Sequence, residues 1–336
     1  MTIRMLTGGL QTTVQDLGRM GQQRRAIPVG GAMDRTAFLV GNLLVGNDVN
    51  DASLEVSLIG PSMTFGRACV AALSGADLEA TIDGVPIPVW HPVWIPAGAT
   101  LRFGRPRLGC RAYVAIGGGI NVPSLFGSRS TYLRGGFGGH EGRALRAGDT
   151  LSLGAPGPAS RGIGRAVAGG GDEVRVARWS IGMSLRPRYS SEPTVRVVAG
   201  AHSELLDAPS RAALSASAFR VSSSSDRMGY RLEGATLQLA RHTELMSEGV
   251  AFGTIQLPPG GAPIILMADR QTTGGYPRIG EVASVDLPLL AQLKPGDGVR
   301  FRFIPLERAQ ALYIVQEGEL AQARAAVAFR HPPGTT

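Results

Sequence analysis

Short apolar runs separated by turn residues dominate the chain from residue 54 onward. The runs within LEVSLIGPSMTF, RACVAALSG, LEATIDGVPIPVW and TLRFG have the length of β-strands and are bounded by Gly-Pro, Ser-Gly or Asp-Gly pairs. Asp83-Gly84 is typical of a tight hairpin turn. The pattern therefore predicts a mainly β protein built from a succession of short strands.

One small element recurs along the chain, a glycine turn that leads into a strand. Its copies occupy residues 97–103, 147–153 and 295–301. Their irregular spacing argues against a solenoid, whereas such a unit is typical of barrel-like subdomains in which it closes a sheet. With 47 glycines and 22 prolines in 336 residues, the composition also suits a β protein with many turns.

Helical signals are few. Asp34 is a good N-cap for a helix over residues 36–45, and Gly46 ends that helix. An alanine-rich amphipathic pattern over residues 306–329 predicts a second helix that is interrupted at Gly318, most simply a surface for packing or for a partner. Asp34 therefore has a structural explanation as a helix cap beside any chemical one.

Residues 154–171, GAPGPASRGIGRAVAGGG, are rich in Gly, Ala, Pro and Ser and show no apolar period. This composition is typical of a linker. We therefore predict an N-terminal β-barrel subdomain over residues 1–153 and a C-terminal β-barrel subdomain, ending in a helix, over residues 172–330.

The net charge of +8 comes almost wholly from arginine, and Lys294 is the only lysine. A Walker A motif, which needs a lysine after its glycines, is absent. The setting of Lys294 in Leu-Lys-Pro-Gly-Asp is also not that of a biotin-carrying lysine. The arginines form no dense tract, so the sequence does not favour nucleic-acid binding; their charge suits an acidic partner or an anionic substrate.

Metal-binding and membrane signals are missing from the sequence. The histidines show no HxH or HExxH spacing, so we predict no metal site; they are His91, His140, His202, His242 and His331. Cys69 and Cys110 lie in apolar strand-like runs and read as buried hydrophobic side chains. No apolar segment has the length of a signal or a membrane span, and we expect a soluble cytoplasmic protein.

The stretch over residues 246–286 has the highest density of polar side chains suited to ligand binding or catalysis. Two apolar runs of strand length, over residues 250–257 and 263–267, are separated by Pro-Pro-Gly-Gly. The second run ends in a turn where paired glycines let a ligand approach the backbone. The polar side chains at and near this turn are Gln256, Asp269, Arg270, Gln271 and Thr272. They form either a ligand site or a hairpin whose polar groups satisfy each other.

Further polar turns resemble anion cradles. They contain Gln15, Asp16 and Arg19; Asp34; Arg129 and Ser130; and Asp226, Arg227, Tyr230 and Arg231. Tyr230 and Arg231 could clamp a planar or anionic ligand, and the alternative is an Arg-Asp pair that braces a turn.

Several segments resemble a known family over most of the chain. They are TTVQDLGR, GAMDR, VAIGGGIN, GSRSTYLRGGFGG, SDRMGYRLEG, SEGVAFGTIQLPP, ILMADRQTTGGYPRIGEVASVDLP and QLKPGD. The family is the carboxyltransferase type, which includes the C subunit of 5-oxoprolinase, the antikinase partner protein KipA and the C-terminal half of the urea carboxylase carboxyltransferase domain. The chain departs from its pattern at Met20, where proline is usual, at Gly30, where serine is usual, and at Asn121, where aspartate is usual.

The resemblance implies two cyclophilin-like β-barrel subdomains with a few short helices. It also implies a chain that works with a companion of the carboxyltransferase type, similar to the B subunit of 5-oxoprolinase, and with a protein similar to the A subunit. The implied function is ATP-dependent opening of 5-oxoproline to L-glutamate, with ATP used by the whole complex. Two alternatives stay open: half of a biotin-dependent carboxyltransferase acting on urea or an amide, with biotin on a partner chain, and a non-enzymatic partner of a kinase inhibitor.

Under this hypothesis the arginines hold carboxylate or phosphoryl oxygens of the small-molecule substrate, and the aspartates orient the arginines or move protons. We predict catalytic roles for Asp34, Asp226, Asp269 and Arg270. We predict substrate contacts for Gln15, Asp16, Arg19, Arg129, Ser130, Arg227, Tyr230, Arg231, Gln256, Gln271 and Thr272.

Overall fold

The computed structural model describes residues 2–241 and 245–330. The chain forms two compact units. The first contains the described residues of Met1–Gly18, Asp34–Pro187 and Glu317–Thr336, and the second contains those of Arg19–Met33 and Arg188–Gln316. This division differs from the predicted boundaries, because residues 154–171 lie within the first unit and residues 19–33 belong to the second.

The first unit is built from two antiparallel sheets. Its strands are β1 (Thr2–Thr7), β2 (Gln11–Gln15), β3 (Ser53–Ser57), β4 (Ser62–Phe65), β5 (Cys69–Asp77), β6 (Thr81–Ile82), β7 (Val85–Pro86), β8 (Pro92–Ile95), β9 (Thr100–Arg102), β10 (Leu108–Ile116), β11 (Ile120–Asn121), β12 (Thr150–Leu153) and β13 (Arg175–Val176). One sheet has the order β11-β12-β1-β4-β9-β6-β7, and the other has the order β13-β8-β5-β10-β3-β2.

Side-chain alternation places apolar and polar residues of β3 on opposite faces of the second of these sheets. Leu54 and Val56 of β3 enter the hydrophobic core of the unit, whereas Glu55, between them, faces the opposite way because successive strand residues alternate. Glu55 pairs in register with Tyr113 of β10, and both side chains are buried. The sheet therefore carries buried polar groups on the face away from its apolar core.

Helix α1 (Arg35–Leu44) agrees with the helix predicted over residues 36–45. The predicted linker, in contrast, contains helix α2 (Pro158–Ala168), which packs on β5 and β8. Pro158 suits the first helical turn, Gly169 ends the helix in a left-handed conformation with φ of 57°, and Ile163 is fully buried. The small residues that suggested a linker thus form a helix, because the apolar side of this helix packs against the sheet.

The second unit is a closed barrel. Its elements are β14 (Thr194–Ala199), α3 (Ala208–Ala216), β15 (Ala218–Val221), β16 (Gly229–Glu233), β17 (Glu248–Gly249), β18 (Thr254–Gln256), β19 (Ile264–Leu266), β20 (Thr273–Gly274), β21 (Arg278–Val282), α4 (Leu287–Ala291) and β22 (Gly298–Phe303). The barrel runs β14-β21-β18-β19-β16-β15-β22, and β17 pairs with β20 outside it. Val195, Val197, Phe219, Ile255 and Ile265 belong to its core. The predicted mainly β fold with few helices is confirmed; of the two predicted barrels, the second unit forms a closed one, and the first unit forms two sheets.

Helix α5 (Leu306–Arg330) is continuous, so the interruption predicted at Gly318 is wrong. A single glycine costs about 1 kcal/mol of helix stability but leaves the backbone hydrogen bonds intact. None of the described α5 residues is buried. Among the helices of the described ranges, none combines the length and apolar character that a membrane crossing requires.

Candidate functional site

The turn after β19 in the second unit packs against Gln256, the last residue of β18. Gln256 is buried, and its Oε1 accepts a hydrogen bond from Gln271 Nε2 at 3.4 Å. Its Nε2 has no hydrogen-bond partner among the described residues. A Cβ at Gly274 would lie 2.5 Å from that Nε2. The glycine therefore lets the turn approach a buried amide that retains donor capacity.

Arg270 lies on the same turn and is half-buried. Its Nε donates to Val250 O at 3.2 Å, and the Val250 N–H donates to Thr272 O at 3.2 Å. No other hydrogen bond joins the Arg270 guanidinium to the described residues, which leaves its terminal amino groups available as donors. Burial lowers the pKa of Arg270, but a guanidinium stays protonated in proteins. Arg270 is thus a fixed positive charge suited to an anionic ligand group.

Glu281 of β21 is an acidic group near Arg270 that was not among the predicted site residues. Thr254 Oγ1 donates to Glu281 Oε2 at 2.8 Å across the strand pair and accepts from the Ala251 N–H at 3.0 Å. Burial raises the pKa of Glu281, against the hydrogen bond from Thr254 and the charges of Arg278 and Arg270. A carboxyl whose pKa is raised keeps its proton to higher pH than an ordinary glutamate does, which suits a general acid.

Asp269 precedes Arg270 and forms a buried ion pair with Arg227. Arg227 Nε and Nη2 donate to the two carboxylate oxygens at 2.9 and 3.0 Å, and Nη2 also donates to Gly31 O at 2.6 Å. The Asp269 N–H donates back to Arg227 O at 2.8 Å. This bidentate geometry is that of a carboxylate that orients an arginine.

Arg19 reaches the same place in the second unit. Its side chain is fully buried, and its backbone N–H donates to Val29 O at 2.7 Å. Gly30 has φ of +65°, and a Cβ there would lie 3.3 Å from Arg19 Nη1 and 3.5 Å from Asp269 Oδ1. A side chain at this position, where the family pattern has serine, would therefore lie close to both the guanidinium and the carboxylate.

In the first unit, Asp16 braces the turn that contains Arg129. Its Oδ1 accepts hydrogen bonds from Ser128 Oγ at 2.6 Å, Ser130 Oγ at 2.5 Å and the Gly18 N–H at 2.8 Å, and its Oδ2 accepts from the Arg129 N–H at 2.6 Å. A carboxylate has about four acceptor sites, so these four hydrogen bonds use the acceptor capacity of Asp16 within its own turn. Arg129 is half-buried, and its Nε donates to Val122 O at 3.2 Å.

Gln15 is buried beside this turn. Its Nε2 donates to Thr13 Oγ1 at 3.0 Å and to Thr131 O at 3.2 Å, whereas its Oε1 has no hydrogen-bond partner among the described residues. Gln15 therefore keeps a buried acceptor within the first unit.

Asp34 caps helix α1, as predicted from its position at the N-terminus of this helix. Its Oδ1 accepts from the Ala37 N–H at 2.9 Å, and its own N–H donates to Tyr113 Oη at 2.8 Å. The Tyr113 hydroxyl donates in turn to Glu55 Oε2 at 2.7 Å. Burial, Glu55 and Asp34 together raise the pKa of Tyr113. Glu55 is a second carboxylate that was not among the predicted site residues, and it is buried.

The predicted clamp of Tyr230 and Arg231 does not form. Adjacent residues of β16 face opposite sides, so Tyr230 lies in the barrel core, where its hydroxyl donates to Leu293 O at 3.3 Å, while Arg231 is exposed. Asp226 is also exposed, and its Oδ1 accepts from the Met228 and Gly229 N–H groups at 2.8 and 3.3 Å. Tyr230 is thus a core residue, Arg231 is a surface residue, and Asp226 stabilises a turn.

No group of three or more His, Cys, Asp or Glu side chains suited to a metal ion occurs among residues 2–241 and 245–330. His242 and His331 lie outside these described residues. Cys69 and Cys110 are buried and are not joined in a disulfide.

Comparisons with known proteins find close relatives of the chain. Residues 25–303 match the family described as "Carboxyltransferase domain, subdomain A and B". The chain is 35% identical to the 5-oxoprolinase C subunit of Haemophilus influenzae over 94% of its length and 95% of that protein, and 38% identical to the 5-oxoprolinase C subunit of Escherichia coli over 91% and 93%.

A solved structure is also similar to the whole chain. The crystal structure of the K. lactis urea amidolyase superimposes with a TM-score of 0.85 at 30% identity, over 96% of this chain. The chain corresponds to 20% of that much longer protein.

Proposed function

Because the chain belongs to the family of the carboxyltransferase domain, subdomains A and B, we propose that it is the C subunit of a 5-oxoprolinase. The observation that carries the proposal is the identity of 35% and 38% to two proteins of that name, along nearly the whole length of each. The complex would open 5-oxoproline to L-glutamate with hydrolysis of ATP, as a hydrolase of a cyclic amide.

Opening this lactam requires water at the carbonyl carbon, cleavage of the ring C–N bond and a proton on the departing nitrogen. An amide carbonyl is a weak electrophile, and phosphorylation of its oxygen with ATP would make the carbon more reactive. Negative charge then develops on oxygen atoms, so fixed positive charges and N–H donors lower the barrier. The second unit holds groups of both kinds.

We assign roles to three of these groups. Arg270 binds the carboxylate or a phosphoryl oxygen through its terminal amino groups, since its Nε is held by Val250 O. Gln256 Nε2 donates to the lactam carbonyl oxygen, because this buried donor has no partner among the described residues. Glu281, whose pKa burial raises, delivers the proton to the lactam nitrogen. The Asp269–Arg227 pair fixes the turn that carries Arg270.

The residues of this chain would make different contacts with ATP and with biotin. The only lysine, Lys294, pairs with Asp297 at 2.6 Å, so the phosphates of ATP would meet arginines here or be bound by a companion chain similar to the A or B subunit of 5-oxoprolinase. Biotin carried by a partner would present a ureido oxygen, which Gln256 Nε2 and Arg270 suit as donors. When bound, biotin would supply the carrier for a carboxyl group.

The test uses the full chain co-expressed with its companion subunits and measures glutamate release from 5-oxoproline with and without ATP. We expect ATP-dependent release, and we expect Arg270→Ala to lower it at least about a hundredfold, as for loss of a group that stabilises transition-state charge. Arg302→Ala, at an exposed arginine of β22, is the matched control and should leave release unchanged. Absence of glutamate from an assembled complex, or full activity of Arg270→Ala, would contradict the proposal.

The likeness to urea amidolyase, with its TM-score of 0.85, favours carboxyl transfer as the second candidate function. That activity would need bicarbonate, ATP and a biotinylated companion. An avidin blot of the purified complex and a urea-dependent assay with labelled bicarbonate distinguish it from lactam hydrolysis.

A further inference from the structure

A cavity of about 210 Å³ lies in the first unit between helix α2 and strands β5 and β8. Its walls include the apolar side chains of Cys69 and Val70 and the backbone of Gly164. A Cβ at Gly164 would lie 3.3 Å from the Trp94 ring, so the helix approaches the indole closely. None of the groups assigned to the proposed reaction lines this cavity.

Two buried polar atoms of the cavity lining have no hydrogen-bond partner among the described residues. They belong to two residues of the lining: Trp94 Nε1, which can only donate, and Ser160 Oγ, in a residue that is 1% exposed. A Cβ at Gly117, another lining residue, would lie 2.4 Å from Ser160 Oγ. Buried donors in folded proteins are almost always bonded. Two such groups on residues that line one cavity are consistent with a ligand that supplies acceptors.

Positive charge surrounds the cavity. Arg67, Arg161 and Arg165 line it, and Arg161 Nη1 is held by Pro156 O at 2.6 Å. Helix α2 begins beside it at Gly157 without a side-chain cap and without an acidic residue in its first turn, so the positive end of its dipole is not neutralised there. No acidic side chain of the described residues lines the cavity.

Cys69 contributes an apolar wall rather than a reactive group. Burial raises the pKa of its thiol to about 12, against the charge of Arg67. The thiol is therefore neutral at physiological pH, and a neutral thiol is a poor nucleophile. The chemistry of the cavity is that of binding.

We propose that this cavity is a second ligand site, which binds a small organic anion that carries a carboxylate on an apolar body. An oxygen of the anion accepts hydrogen bonds from Trp94 Nε1 and the Ser160 hydroxyl. The arginines balance its charge, and the apolar body packs against Cys69 and Val70. The small volume restricts the ligand to about the size of a single ring.

The test is calorimetric titration of the full chain with benzoate at low salt, with benzamide as the uncharged probe of the same shape. We expect saturable binding of one benzoate, at least about tenfold tighter than benzamide because a charge-assisted bond is replaced by a neutral one. Trp94→Phe keeps an aromatic side chain and removes the donor, and we expect it to weaken benzoate binding about tenfold.

Ser160→Ala and Arg165→Gln are independent variants and should each weaken benzoate binding. Arg4→Gln, at an exposed arginine of β1, controls for the loss of one charge and should leave the affinity unchanged. Thermal unfolding verifies that each variant is folded. Equal affinities for benzoate and benzamide, unchanged affinity in both Trp94→Phe and Ser160→Ala, or no saturable binding in the millimolar range would overturn the proposal. The readout is binding to this chain alone, so it is independent of glutamate release by the complex.

Discussion

Arg227 and Asp269 form a bidentate ion pair in which both side chains are more than nine-tenths buried. The two residues are 42 positions apart in the chain, and each also bonds to the backbone of the second unit. The pair therefore ties the polar turn before β16 to the turn that carries Arg270.

Asp269→Asn is expected to destabilise the protein by about 3–5 kcal/mol, because it leaves the buried Arg227 guanidinium without its charged partner. Chemical denaturation, followed by a spectroscopic probe of the barrel, measures the free energy of unfolding. Lys294→Ala is the control, since it removes a partly exposed ion pair of the same unit and should cost less than about 1 kcal/mol. Equal losses in the two variants would show that the buried pair contributes no more than a surface pair.

Glu281 gives the stability an unusual pH dependence. Burial raises its pKa above the ordinary value of 4.5, so between these two values the folded state holds a proton that the unfolded state has lost. The contribution of Glu281 to the free energy of unfolding therefore falls as pH rises from about 4.5 through the raised pKa. Glu281→Gln removes this contribution, and its stability should rise relative to the wild type across that window. Unfolding curves measured at a series of pH values check this, and parallel profiles would contradict it.

Gln256 illustrates a conflict between stability and ligand binding. Its buried Nε2 has no partner among the described residues, and such a group costs about 1–3 kcal/mol. Gln256→Met keeps the length of the side chain and removes the amide. We expect it to raise the free energy of unfolding by about 1 kcal/mol while lowering ATP-dependent glutamate release at least about tenfold. Gln238→Met, at an exposed position, should change stability by less than about 0.5 kcal/mol. A loss of stability in Gln256→Met would contradict the assignment.

Local patterns account for the parts of the fold that were predicted. The alternation around Leu54 and the Asp-Gly turn at Asp83 depend on neighbouring residues alone, and the strands form as expected. The same alternation could have excluded a joint role for Tyr230 and Arg231, because adjacent strand residues face opposite sides. Helix α2 was missed because its small residues carry little helix signal until a sheet covers Ile163.

Only some residues of the candidate site could be predicted from the sequence, because burial and strand register arise on folding. Gln256 and Arg270 stand out as polar residues in one dense stretch, and the structure does bring both to the turn after β19. Glu281 acquires its raised pKa from burial and from its place opposite Thr254, and Glu55 is buried through its register with Tyr113. Strand register and desolvation are properties of the folded chain, so periodicity could not select these carboxylates.

Asp34 provides a test that separates capping from chemistry. Its Oδ1 accepts from the Ala37 N–H at 2.9 Å at the start of α1. Serine is about as good an N-cap as aspartate, whereas alanine costs about 1 kcal/mol. We therefore expect Asp34→Ala to lose about 1 kcal/mol of stability and Asp34→Ser to lose almost none. Because the carboxylate is buried and its Oδ1 caps the helix, Asp34→Ser should also retain ATP-dependent glutamate release in the assembled complex. Loss of that activity with unchanged stability would instead assign the carboxylate to the reaction, since serine preserves the cap but can neither carry the charge nor accept a proton as a carboxylate does.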